Sequence, residues 1–109
     1  LHADVATTAP VWHELLYGCY RLPRSRRRDI LEHYLFQVLA SALDILAYES
    51  AAAEWHASER ARLSLVGRAP PFVDGQIAAV AYVNDLTLVT ANTSDYSDFQ
   101  GLRTESWLR

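Results

Sequence analysis

The sequence predicts an α/β domain with a parallel or mostly parallel sheet and helices on both sides. Two observations predict it. Short runs at strand period alternate with longer runs at helical period along the chain. Residues 71–96 also read as a buried helix, a two-residue turn, a strand and a polar loop, a compact unit around which the rest is arranged.

Val5-Ala6-Thr7-Thr8 has strand character, Thr8 suits a helix cap and Pro10 a first helical turn. A helix through about Tyr20 carries Val11, Leu15, Leu16 and Cys19 on one side, and Leu22-Pro23 breaks it. A second helix begins near Ser25. Its residues Ile30, Leu31, Tyr34, Leu35, Val38, Leu39 and Ala42 recur at spacings of three and four, which predicts one amphipathic helix. Asp44–Ala47 is a brief strand. Glu49–Val66 is a third helix with Ala52, Trp55, Leu63 and Val66 inward; Glu59 falls beside that stripe, at odds with an apolar face. Gly67 is placed to end it.

After Pro70-Pro71 a helix carries Asp74 near its start, and Ile77–Val83 are apolar on every side, which predicts burial on more than one face. Asn84-Asp85 marks a turn, and Leu86–Thr90 alternate as a strand. Phe99 and Gly101 mark a turn, and Leu102–Trp107 a last edge strand.

The chain has 109 residues, half of them hydrophobic, enough for one compact domain over residues 1–109. No long uncharged apolar run predicts a membrane span. The lone Cys19 excludes an internal disulfide and fits a reducing compartment. Net charge is −3, so the overall field does not advertise nucleic acid. All ten basic residues are arginine, and Arg21, Arg24, Arg26, Arg27 and Arg28 crowd one stretch.

Lengths locate a candidate site. About eleven helical residues at ~1.5 Å each and about five strand residues at ~3.3 Å each cover equal distances. A short turn therefore folds the strand back along the helix, and Asp74 meets the Asn92–Asp95 loop at the carboxyl edge of the sheet, where ligands bind in open α/β folds. Glu14 is expected at the same edge. Three converging carboxylates repel unless a cation intervenes, and oxygen ligands suit Mg²⁺ or Mn²⁺. Thr90 and Asn92 are placed to orient the acids. The plainer roles are a helix cap for Asp74, a turn for Asp95 and a solvated acid for Glu14. His2, His13, His33 and His56 lack metal-ligand spacing and read as structural or exposed. Trp12, Tyr17, Tyr20 and Trp55 divide between core packing and a groove for a partner helix.

Asp74-Gly75-Gln76-Ile77-Ala78-Ala79, then Leu88-Val89-Thr90-Ala91-Asn92-Thr93-Ser94-Asp95-Tyr96, then Gly101-Leu102, resembles the second half of a VapC-type PIN-domain toxin. Trp12-His13-Glu14-Leu15-Leu16-Tyr17-Gly18 with Arg21-Leu22-Pro23 resembles the family's Glu-Leu-x-x-Gly segment. The resemblance implies a three-layer α/β/α fold and a cytoplasmic Mg²⁺- or Mn²⁺-dependent ribonuclease that leaves a 5′ phosphate and a 3′ hydroxyl. It also implies a toxin silenced by a cognate antitoxin, usually as a homodimer. Motif by motif, Glu14, Asp74 and Asp95 take catalytic, metal-holding positions, with Thr90 and Asn92 beside the last. Arg24, Arg26, Arg27 and Arg28 are expected to meet RNA phosphates or an acidic antitoxin segment, the plainer alternative being a solvated helix start.

The family opens with a central strand ending in an acid, such as Asp-Thr-Asn, whereas Asp4 here precedes a segment matching the family's second strand. The chain has no Met. Leu1 is therefore expected not to be the natural start, with about thirty or more residues, a strand-plus-helix unit, lying upstream. The alternative reading is a catalytically incomplete PIN-like module that only binds RNA or a protein.

Overall fold

A computed structural model describes residues 6–106. The chain divides into two compact units, Leu1–Ala47 and Tyr48–Arg109. Each has a two-stranded parallel sheet, so the predicted α/β class with parallel strands is what the chain adopts. Among the described residues, no helix is long and apolar enough to cross a membrane.

In the first unit, β1 (Ala6–Thr8) runs directly into α1 (Ala9–Tyr20). Thr8 Oγ1 accepts from Val11 N at 3.2 Å, satisfying one of the helix's free amides, and a proline occupies the first turn. After the Leu22-Pro23 break, Ser25 Oγ accepts from Arg28 N at 3.2 Å and opens α2 (Arg26–Tyr34). The single long helix expected here is interrupted. Leu35–Leu39 form a π turn before the short α3 (Ala40–Ala42). The extra residue of a π turn rotates the next helical turn about the axis and breaks the three-four stripe. Leu35 is buried, but Ile30, Tyr34, Phe36 and Val38 are exposed. The inward side expected of α1 is likewise only partial, since Cys19 is buried and Leu15 is exposed. β2 (Asp44–Leu46) pairs with β1 in the register Ala6 to Asp44. Val5, expected to begin β1, lies outside the described residues.

In the second unit, α4 (Ser50–Leu65) packs along α5 (Phe72–Val83). Gly67 takes φ +69°, and Arg68 N donates to Leu63 O at 2.8 Å, so the glycine closes α4 as expected. Val66, expected inward, is exposed because the helix has already ended there. Ala78, Ala79, Val80 and Ala81 are buried on several sides of α5, and their small side chains let α4 approach closely. Tyr82 and Val83, at its end, are partly exposed.

The turn after α5 places Asp85 at φ +56° and returns Leu86 N to Ala81 O at 2.9 Å. β3 (Leu88–Thr90) begins two residues later than expected. β4 (Thr104–Ser106) pairs with it in parallel, and Trp107 lies outside the described residues. Leu63, Ala78, Tyr96 and Phe99 form the core, with Trp55, Leu88 and Leu102 packed against it.

The misfit at Glu59 has a physical answer. Its carboxylate is buried and accepts from Arg62 Nε (3.1 Å), Arg62 Nη2 (2.8 Å) and Gln100 N (2.8 Å). Arg62 Nη2 also donates to Asp98 O at 2.8 Å. The Arg62 hydrogen bonds hold the Glu59 carboxyl below the usual range, burial opposes this, and the Gln100 amide adds to the lowering. Glu59 thus ties α4 to the loop that follows the Thr93–Tyr96 turn of 3₁₀ helix.

Candidate active site

Within the second unit, α5 and the loop after β3 bring Asp74 and Asp95 together. Asp74 occupies the first turn of α5, whose N-cap is Pro71, and no side chain caps that helix. The capping role that would otherwise explain an aspartate there is therefore not in use. Asp95 lies in the 3₁₀ turn Thr93–Tyr96, which also has no side-chain cap; its backbone N donates to Asn92 O at 3.1 Å. Thr90 Oγ1 accepts from Asn92 N at 3.1 Å and fixes the exit of β3.

The electrostatics register the proximity of the two acids. Burial raises the Asp74 carboxyl above its ordinary value, and the charge of Asp95 raises it further. Tyr96 reports the same field. Its phenol is pushed up to about 12, first by burial and then by the charges of Asp74 and Asp95. The buried Tyr96 hydroxyl thus lies within the field of both acids.

Glu14 belongs to the first unit, in α1, where it is exposed and hydrogen-bonded to His13 Nδ1 at 3.1 Å. Among the described residues, no group of three or more Asp, Glu, His or Cys side chains is arranged to hold a metal ion. What the second unit supplies is the Asp74–Asp95 pair.

The arginine stretch is not uniform. Arg28 is half-buried, donates from Nη1 to Leu22 O at 3.4 Å and lies over the Tyr20 ring. Arg21 lies over Tyr17. Arg24, Arg26 and Arg27 are exposed, with no side-chain ion pair or hydrogen bond among the described residues. Trp55 stacks on Tyr82 at 4.5 Å and Trp12 meets Phe36 edge-on at 5.6 Å, so these two aromatics pack internally while Tyr17 and Tyr20 face solvent.

Comparison with known proteins bears on this arrangement. The PIN domain family matches residues 1–101. The chain belongs to the PIN-domain family. The tRNA(fMet)-specific endonuclease VapC of Shigella flexneri is 35% identical to this PIN domain over 95 residues, 86% of this chain and 68% of the relative. FitAcB from Neisseria gonorrhoeae superposes with a TM-score of 0.88 at 24% identity, over 95% of this chain and 76% of that one. VapBC-5 of Mycobacterium tuberculosis, a member of the VapBC family of toxin-antitoxin systems, superposes at 0.72 with 26% identity, over 94% and 79%. The PIN domain's α/β character therefore has matches in both sequence and backbone.

Sequence reasoning missed two residues of this PIN domain's site region. Tyr96 reads in the sequence only as part of a loop motif. His56, which the sequence marks only as structural or exposed, packs under the start of α5 on the helix face that also buries Ala52, Glu59 and Leu63.

Proposed function

We propose that this PIN domain is a divalent-metal-dependent endoribonuclease and the toxin of a toxin–antitoxin pair. The PIN-domain match and the 35% identity to an endonuclease carry the reading, and the Asp74–Asp95 pair supports it: burial first, and then the charge of Asp95, raises the Asp74 carboxyl. Such a pair is costly unless a cation joins it, and its oxygen-only donors match Mg²⁺ or Mn²⁺. Asp74 and Asp95 would hold the ion, and Glu14, in the first unit, takes the third acidic position of the family motif. When bound, the ion supplies Lewis-acid polarisation of phosphate oxygens and of water.

The chain's own groups do the rest. A carboxylate accepts the proton of the attacking water. The Tyr96 hydroxyl, protonated up to about pH 12, remains a hydrogen-bond donor within the field of both acids. Thr90 and Asn92 hold the loop that carries Asp95. The Shigella relative's specificity for a tRNA makes structured RNA the first substrate to try. The VapBC-5 relative supports an antitoxin partner, and a homodimer accompanies that reading. Arg24, Arg26 and Arg27, which have no side-chain partner among the described residues, are the arginines offered to RNA phosphates or to an acidic antitoxin segment; Arg28 is engaged within its own unit.

The test is cleavage of tRNA with Mn²⁺. Asp74→Asn should lower the rate by ~10²-fold or more with an unchanged circular dichroism spectrum; cleavage near the wild-type rate would remove Asp74 from the mechanism. In the same assay, Arg26→Gln with Arg27→Gln should flatten the dependence of RNA affinity on salt. An unaltered slope would assign those arginines to the antitoxin instead.

A further inference from the structure

α5 begins over a histidine. His56 is only 3% exposed, in the middle of α4. Its Nδ1 is hydrogen-bonded with the Tyr48 hydroxyl at 2.8 Å, and the Tyr48 ring meets the imidazole edge-on at 5.8 Å. Phe72, the first residue of α5, packs on the ring at 4.9 Å, and Arg60 lies over Phe72 at 5.2 Å. The far edge of the imidazole abuts Gly75. A Cβ at residue 75 would overlap His56 Nε2 and lie 2.6 Å from Cδ2 and 2.9 Å from Cε1. The glycine is thus required by close approach of a side chain, and its backbone is not in the left-handed region.

Gly75 follows Asp74 directly in the first turn of α5. A turn pinned from below at residue 75, with Phe72 held on the same ring, has little freedom to tilt or slide. The direction in which Asp74 leaves the backbone is fixed with it. We infer that His56, braced by Tyr48 and seated on Gly75, is a positioning residue that sets where Asp74 stands relative to Asp95. The inference rests on the proposed role of the two acids at the metal. His56 touches no reacting atom; it acts through the helix start. Outer groups of this kind typically alter metal affinity by ~10–100-fold.

The roles of the two ring nitrogens can be separated. A glutamine side chain carries a polar atom to roughly the position of Nε2 and keeps the seat under Gly75. An asparagine stops near the level of Nδ1, keeping the partner for Tyr48 but leaving the seat empty. The experiment is Mn²⁺ affinity by titration calorimetry on the full chain, well below each variant's melting temperature. His56→Asn is expected to weaken Mn²⁺ binding about tenfold, and His56→Gln to stay within about threefold of wild type. Tyr48→Phe keeps the ring on its seat and loses only the bond that His56→Gln also loses, so it is expected to weaken binding about as much as His56→Gln, up to about threefold.

A purely structural His56 would lower the melting temperature of His56→Asn and leave the affinity of the folded protein unchanged, and that outcome overturns the inference. If His56→Asn does not fold, Tyr48→Phe decides: unchanged Mn²⁺ affinity in that variant overturns the inference and weakened affinity supports it. A wild-type chain that binds no Mn²⁺ sinks the metal reading itself, and the positioning role with it. Wild-type binding matched by a folded His56→Asn sinks only the positioning role.

Discussion

Gly18 in α1 and Gly75 in α5 are both helical glycines, and their surroundings are opposite. A Cβ at Gly18 meets nothing within 4 Å, whereas one at Gly75 runs into His56. The contrast extends to the units that hold them. In the second unit, side-chain bonds span the sequence, from the buried Glu59 to Gln100 N and from the exposed Arg68 to Asp98. Among the described residues of the first unit, side-chain hydrogen bonds reach no further than the nine residues from Cys19 to Arg28, and the buried apolar side chains are Cys19 and Leu35 alone. A closely packed unit carries the Asp74–Asp95 pair; a looser one carries Glu14 and the free arginines. Orienting two like charges against each other needs rigid support, while steering a long polyanion requires only exposed charge.

The largest effect should come from filling the tight place. Gly75→Ala is expected to cost about 2–3 kcal/mol in urea denaturation, because the new methyl must displace a buried ring. His56→Ala in the same chain should recover part of that loss, making the double variant more stable than the sum of the singles. A Gly75→Ala chain within about 0.5 kcal/mol of wild type would show that α5 is not held as tightly as the contrast requires.

The sequence made some of this legible. The order of helix, turn, strand and polar loop in residues 71–96 was legible, because spacing and period are local properties that survive folding, but the expected equal lengths were not met, since β3 has three residues against twelve in α5. The Thr8 and Ser25 caps and the Gly67 stop were readable for the same reason. The π turn at Leu35–Leu39 was not, since an inserted residue in a helix has no residue type of its own. Nor was the partner of Glu59, a backbone amide 41 residues away. Any residue but proline offers such an amide, so nothing in the identity of Gln100 announces it.

A smaller effect tests the polar tie of the second unit. Glu59→Gln keeps an acceptor for Gln100 N but loses the charged bonds to Arg62, for an expected cost of about 1–2 kcal/mol at neutral pH. Because the folded Glu59 carboxyl is held low, its contribution is present above the unfolded-state pKa and is lost as pH falls through the folded one. Asp74 has the opposite sign: its carboxyl is raised, so its cost to stability is present at neutral pH and relieved in acid. Both chains contain Asp74, so it cancels in their difference. The gap between wild type and Glu59→Gln should therefore narrow steadily from about pH 5 downward. A gap that stays constant into acid would mean that the carboxylate's charge adds nothing to the tie.

The smallest effect belongs to the open glycine and points the other way. Gly18 lies in the last turns of α1 with ordinary helical backbone, so alanine can adopt its conformation without strain and with less entropy to lose. Gly18→Ala should gain about 0.5 kcal/mol in urea denaturation. The same residue sits in the Glu-Leu-x-x-Gly segment beside Glu14. If alanine stabilises the free chain yet weakens antitoxin binding or tRNA cleavage, the space beside Gly18 is kept open for a partner. If alanine destabilises the chain by a similar amount, something already fills that space in the folded protein, and the first unit is packed more closely than its exposed apolar residues indicate.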